Sequence, residues 1–198
     1  MTLLLVVTIV IHIPAVQRRV GACPFGYDKT AAATARGVRT GPVAPARPAL
    51  GFTLSSTTRA DVLAWADQHG IHCDARHGKR TLECLDVPSA LLAKHGAQLP
   101  GTTTWFELDE NATVTTIKTV RRTDLASAVA TAFSATETTL RAQMGEPTTE
   151  RGSADPADLS QGAFRQAVVE HLYADYRAQV RATNMGNGYI LTESYTAL

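Results

Sequence analysis

The sequence predicts an α+β body built of two similar halves, each a helix followed by an antiparallel β-meander, with the helices packed on one sheet face. Three observations predict it. LSSTTRADVLAWADQHG carries a helix start signal, one apolar helical face and a glycine stop. IHCDARHGKRTLECLD reads as two short strands folded over Gly78-Lys79. A second helical pattern begins near Thr123 and again gives way to runs of strand character, so the order of elements recurs.

The chain has 198 residues, 44% hydrophobic and only 19% charged, enough for one ordinary domain or two small ones. Charge is unevenly spread. Residues 1–60 carry seven basic side chains and one acid, Asp28, whereas residues 61–198 carry twelve basic and seventeen acidic. Phosphate recognition needs clustered Lys and Arg, so nucleic acid is not expected as a partner of the acidic body. A basic arm suits anionic lipid headgroups.

The first element is MTLLLVVTIVIHIPAV, which holds no acidic, Lys or Arg residue and is almost wholly apolar. It is short for a membrane-spanning helix, which needs about 20 residues, and suits the apolar region of a signal peptide. Val20-Gly21-Ala22-Cys23 follows and resembles the lipobox of bacterial lipoproteins, which implies lipidation at Cys23. Arg18 and Arg19 lie between the apolar run and that box, so an uncleaved anchor and a misassigned start stand as alternatives. Residues 1–23 are therefore read as signal or membrane anchor. Residues 24–50 are rich in Pro, Ala, Gly and Arg without a sustained apolar period, and are read as a flexible tether. The folded body is expected over 51–198, in halves 51–122 and 123–198.

In the first half Thr58 and Asp61 fit a capping box, and Val62, Trp65, Ala66 and His69 share one face, which predicts a helix over 58–69 ended by Gly70. The next hairpin is predicted to close by a two-residue turn at Gly78-Lys79 or a four-residue loop centred on the same pair. Either closure sets Cys73 opposite Cys84. Facing residues of antiparallel strands lie about 4.5–5.5 Å apart at Cα, a separation that a disulfide accepts. TTTWFEL and ATVTTIKTV then predict a hairpin around Asp109-Glu110-Asn111.

In the second half Thr123 or Asp124 is expected to cap a helix with inner stripe Leu125, Val129, Phe133, Thr136, Leu140 and Met144, stopped by Gly145 and Pro147. A loop over 150–162 precedes three strand-like runs, RQAVVEHLYADY, YRAQVRATNM and YILTESYTA, the last two turning at Gly186-Asn187-Gly188. Tyr176, Ala178, Val180 and Ala182 alternate with Arg177, Gln179, Arg181 and Thr183, the pattern of a strand with one buried face.

LSSTTRADVLAW, LRAQMGEPT and WFELDENATVTTI resemble the opening, helix exit and aromatic-rich hairpin of small exported repeats. Such repeats occur in the outer-membrane assembly lipoprotein family and in the secreted β-lactamase inhibitor protein fold. The resemblance covers residues 52–198 as a pattern. It implies a non-catalytic module that docks on another protein, and it carries no binding residue onto this chain.

The chemistry-bearing residues give no catalytic assignment. His69, His72, Cys73, His77 and Cys84 are candidate zinc ligands by residue type, but neighbouring strand residues such as His72 and Cys73 point to opposite faces and do not converge easily. The same facing counts against Cys73 as a nucleophile beside His72; buried reduced thiols remain the alternative to a disulfide. If Cys23 is lipidated and Cys73 pairs with Cys84, all three cysteines are used. Glu170 and His171 face opposite ways on a strand. Trp105 and Tyr189 are candidate partner anchors, with core packing as the alternative. No cofactor or metal is assigned. The expected function is an exported, membrane-tethered protein-binding or assembly module of the bacterial envelope, with a periplasmic or extracellular location. It would engage a protein or envelope component, with the membrane reached through the N-terminus. An envelope hydrolase with a dispersed active site is the alternative.

Overall fold

Eight antiparallel strands form one sheet in the order β1-β2-β3-β4-β8-β7-β6-β5. The computed structural model describes residues 41–92, 99 and 102–198. The segment 1–23, with Cys23, and residues 24–40 of the expected tether lie outside the described residues. In chain order the elements are α1 (Arg59–Gln68), β1 (Cys73–Arg76), β2 (Thr81–Cys84), α2 (Ser89–Leu92), β3 (Thr103–Leu108), β4 (Val114–Thr123), α3 (Ala126–Met144), β5 (Thr149–Arg151), α4 (Pro156–Leu159), β6 (Gln166–Leu172), β7 (Tyr176–Asn184) and β8 (Tyr189–Ala197). The predicted α+β class is the one observed. A helix precedes β1–β4 and another precedes β5–β8, and the two sets of strands meet where β4 pairs with β8 from Thr116↔Thr196 to Thr123↔Tyr189.

Helix α1 starts where the sequence places it. The Thr58 hydroxyl accepts from the Asp61 amide, and Asp61 accepts from the Thr58 amide, which satisfies donors that a helix start leaves open. Val62 and Ala66 are buried, whereas His69 stays exposed with its Nδ1 2.8 Å from the Trp65 carbonyl. Trp65 and Phe52 pack edge-on against Phe106 of β3, with centroids 6.3 and 5.0 Å away, and fasten the helix to the sheet.

The β1–β2 hairpin keeps the predicted register, Cys73↔Cys84, and closes by the four-residue alternative. His77–Lys79 form a single 3₁₀ turn, in which Gly78 takes φ 65° without the steric cost of a Cβ. The sulfurs of Cys73 and Cys84 are bonded. The β3–β4 hairpin turns at Asp109, whose carboxylate accepts from the amides of Asn111 and Thr113.

The start of α3 departs from expectation. Strand β4 continues to Thr123, which pairs with Tyr189, so the N-cap moves to Leu125 and no side chain caps it. Leu125 is 64% exposed and drops out of the inner stripe; Val129, Phe133, Thr136, Leu140 and Met144 are buried as predicted. Gly145 ends the helix with φ 82°. Two short elements, β5 and α4, occupy the stretch 150–162 that reads as loop in sequence.

Residues 41–50, the last part of the stretch read as tether, lie against the body. The Pro42 carbonyl accepts from the Ala174 amide, the Ala44 amide donates to Asp175, Arg47 pairs with Asp175, and Tyr176 donates to the Pro48 carbonyl. Ala49 and Leu50 are buried in the core. This segment binds by individual side chains and single backbone groups, which leaves no periodic signal in sequence.

Side-chain alternation divides the sheet into two faces. One carries Leu82, Phe106, Ile117, Tyr195, Leu191, Val180, Ala178 and Val169, all buried. Helix α3 packs against β4, β7 and β8, α1 reaches Phe106, and Asn184 donates to the α4 carbonyl of Leu159. Among the described residues no helix is long and apolar enough to cross a membrane.

Candidate binding face

Register alone assembles the opposite face, because facing residues of neighbouring strands share a side. A central row runs Asp74, Glu83, Trp105, Lys118, Ser194, Gln179, Glu170, Thr149 from one edge to the other. A second runs Thr103, Val120, Thr192, Arg181, Val168, Arg151, and a third runs Arg76, Thr81, Glu107, Thr116, Thr196, Arg177, Leu172. Strand β8 contributes the short Thr192, Ser194 and Thr196 side chains, β4 contributes Thr116 with the longer Lys118 and Val120, and longer side chains stand on both flanks.

On one flank Trp105 is half-buried and its indole N–H donates to Glu83 at 3.2 Å. His77, Thr81, Trp105, Glu107 and Lys118 line a hollow of about 220 Å³ there. Arg76 reaches Glu83 at 2.9 Å and Asp74 at 3.2 Å; the Glu83 hydrogen bond first, then the charges of Asp74 and Glu83, raise the affinity of its guanidinium for the proton. On the other flank stand three guanidinium groups. Arg177 pairs with Glu170, Gln179 donates to the same carboxylate oxygen at 3.3 Å, and Arg181 donates to the Gln179 carbonyl at 3.1 Å. Burial first, and then the charges of Arg151 and Arg177, lower the Arg181 proton affinity, although a guanidinium stays ionised. Val168 is buried on this side, and Arg151 and Arg181 face it from the adjoining strands.

The covered face holds polar groups of another kind. Arg121 pairs with Glu193, and the Tyr195 hydroxyl donates to the second oxygen of that carboxylate at 2.9 Å. Burial raises the Tyr195 phenol well above its ordinary range, helped by the adjacent Glu193 charge. Glu193 in sequence reads as surface as readily as core; its register beside Thr119 puts it in the interior. His171 is fully buried on β6, and neither ring nitrogen has a hydrogen-bond partner among the described residues. Tyr189 lies on this side too, its hydroxyl 2.9 Å from Ser160.

The three candidate histidine ligands do not form a metal site: His72 sits exposed beside Asp74 at 3.2 Å, His77 lies in the β1–β2 loop, and His69 is the C-cap of α1. His171 lies on β6, six strands across the sheet from β1. Cys73 and Cys84 are tied up in their bond, so neither offers a thiolate to a metal or a substrate. No cluster of three His, Cys, Asp or Glu side chains able to hold a metal ion occurs among the described residues. Sequence alternation marks Arg177 and Arg181 as outward-facing, but it does not bring Arg151 to them; that needs the three-residue strand β5, for which a period-2 signal is too short. No family model, curated protein or solved structure matches the chain.

Proposed function

We propose that the chain is an exported, non-catalytic binding module of the bacterial envelope that docks a protein through the open face of its sheet. The observation that carries this reading is an eight-stranded sheet whose helices α1, α3 and α4 lie on one side, opposite the side that bears Trp105, Ser194 and Arg181. A half-buried indole offers rigid contact area at low entropic cost, and the Ser and Thr side chains of β8, two strands away, leave room for an incoming surface. The bonded Cys73–Cys84 pair is compatible with an oxidising extracytoplasmic compartment. The tether and Cys23 would hold the module to a membrane. The helix-then-four-strands order on each side of the β4–β8 seam supports two copies of one unit, in line with the exported repeats that the sequence resembles.

Site-specific photo-cross-linking in the producing cells tests the docking. Cross-linkers at Ser194 and Thr192 are expected to yield one discrete protein adduct, diminished by Trp105→Ala, while a cross-linker at Thr138 on the outer side of α3 yields none. Equal adducts from both sides, or none from Ser194 and Thr192, would overturn the reading.

A further inference from the structure

Resting on that docking reading, we infer that Arg181, with Arg151 and Arg177, forms a carboxylate-binding cradle, so that the docked partner presents an acidic segment to the β5–β7 flank of the open face.

The charge count on this flank does not close internally. Three guanidinium groups share this flank with one carboxylate of the same face, Glu170, and that carboxylate is engaged by Arg177 and by the amide of Gln179. Arg181 reaches it only through the neutral carbonyl of Gln179. Neither Arg151 nor Arg181 has an ion pair among the described residues, and the buried Nε of Arg181 has no acceptor. Burial and two neighbouring cations both work against the Arg181 charge, and an incoming anion relieves both. The planar fork of a guanidinium matches a carboxylate in two parallel hydrogen bonds.

The rest of the face decides which kind of anion fits. On the opposite flank Asp74, Glu83 and Glu107 stand with Arg76, which pairs with the first two, and Lys118, so the basic cluster does not continue across the sheet as the track of a long polyanion such as nucleic acid requires. From Gln179 on β7 to Trp105 on β3 the row takes three strand steps, about 14 Å at ~4.8 Å each. A folded protein with a local acidic segment at one end of its contact and an apolar or basic one at the other is complementary to both flanks.

Side-chain Nε–H resonances of the full chain, titrated with an N-acetylated, C-amidated tetraglutamate peptide, test the cradle. The Arg181 resonance is expected to move saturably with tetraglutamate and to stay still with tetraglutamine. Arg181→Gln is expected to weaken binding at least about tenfold, the scale of one charge-assisted hydrogen bond. Arg151→Gln, at an exposed position on the edge strand β5, is expected to weaken it less, with an unchanged backbone spectrum. An unmoved Arg181 resonance, unaltered affinity in Arg181→Gln, or tighter binding of inorganic phosphate or a single-stranded decanucleotide would overturn the inference. Cross-linked adducts from Ser194 that persist when the peptide fails to bind would sink the cradle and leave the docking face standing. Peptide binding without any adduct would sink the docking reading alone.

Discussion

Arg121 on β4 and Glu193 on β8, 72 residues apart in sequence, form an ion pair whose side chains are 1% and 0% exposed. It lies at the seam where the two sets of strands meet. Removing the carboxylate from beside a buried guanidinium costs about 3–5 kcal/mol, whereas exchanging both partners for apolar residues of like volume is often neutral. Glu193→Ala is therefore expected to lower unfolding free energy by about that amount in urea titration. Arg121→Met with Glu193→Leu is expected to recover most of it. Equal losses in the single and double variants would show that the pair's location, and not the stranded charge, sets the cost.

Reduction of the Cys73–Cys84 bond releases a loop that the unfolded chain otherwise keeps closed. At a sequence separation of 11 the expected loss is about 3 kcal/mol. Calorimetry with and without reductant reads it as a fall in Tm, and amide exchange is expected to rise first in the four-residue strand β1.

Gly152 follows β5 with φ +73°, and a Cβ there would come within 2.0 Å of the Gln166 carbonyl oxygen. Gly152→Ala is expected to destabilise by at least about 1–3 kcal/mol and to loosen the Thr149–Arg151 pairing with β6. Gly78→Ala, with open space around it, carries only the backbone term. Urea midpoints of the two variants separate the clash from the conformational cost.

Burial pushes the His171 proton off first, the Arg141 charge adds to this, and Glu146, Glu137 and Glu150 oppose it. The folded state holds a neutral ring, while the unfolded chain takes up a proton from about pH 6.5 downward. Stability from this residue is complete above that pH and falls as the medium is acidified, by up to about 1.4 kcal/mol per pH unit. His171→Leu is expected to flatten the slope of unfolding free energy between pH 6.5 and 5. An unchanged slope would assign it to the carboxylates instead.

Local signals were legible and long-range ones were not. The Thr58–Asp61 box and the register of Cys73 with Cys84 are each decided within a dozen residues, and both appear in the structure as read. The N-cap of α3 is Leu125 and not the expected Thr123 or Asp124, because Thr123 belongs to β4 through its pairing with Tyr189, a partner far along the chain. Arg121 and Glu193 look like ordinary strand residues until β4 and β8 are side by side. The open face follows the same rule: Arg177 and Arg181 alternate outward in sequence, but only the β5–β6–β7 pairing gathers Arg151 to them.

The outermost strands, β1 with four residues and β5 with three, are among the shortest in the sheet, and β1 is also pinned by its bonded cysteine. A stranger extending this sheet sideways would find few open amides and carbonyls to copy. Fibril-like growth from either margin is thereby discouraged, and recognition through side chains on the broad surface is left as the productive way for another molecule to engage the strands.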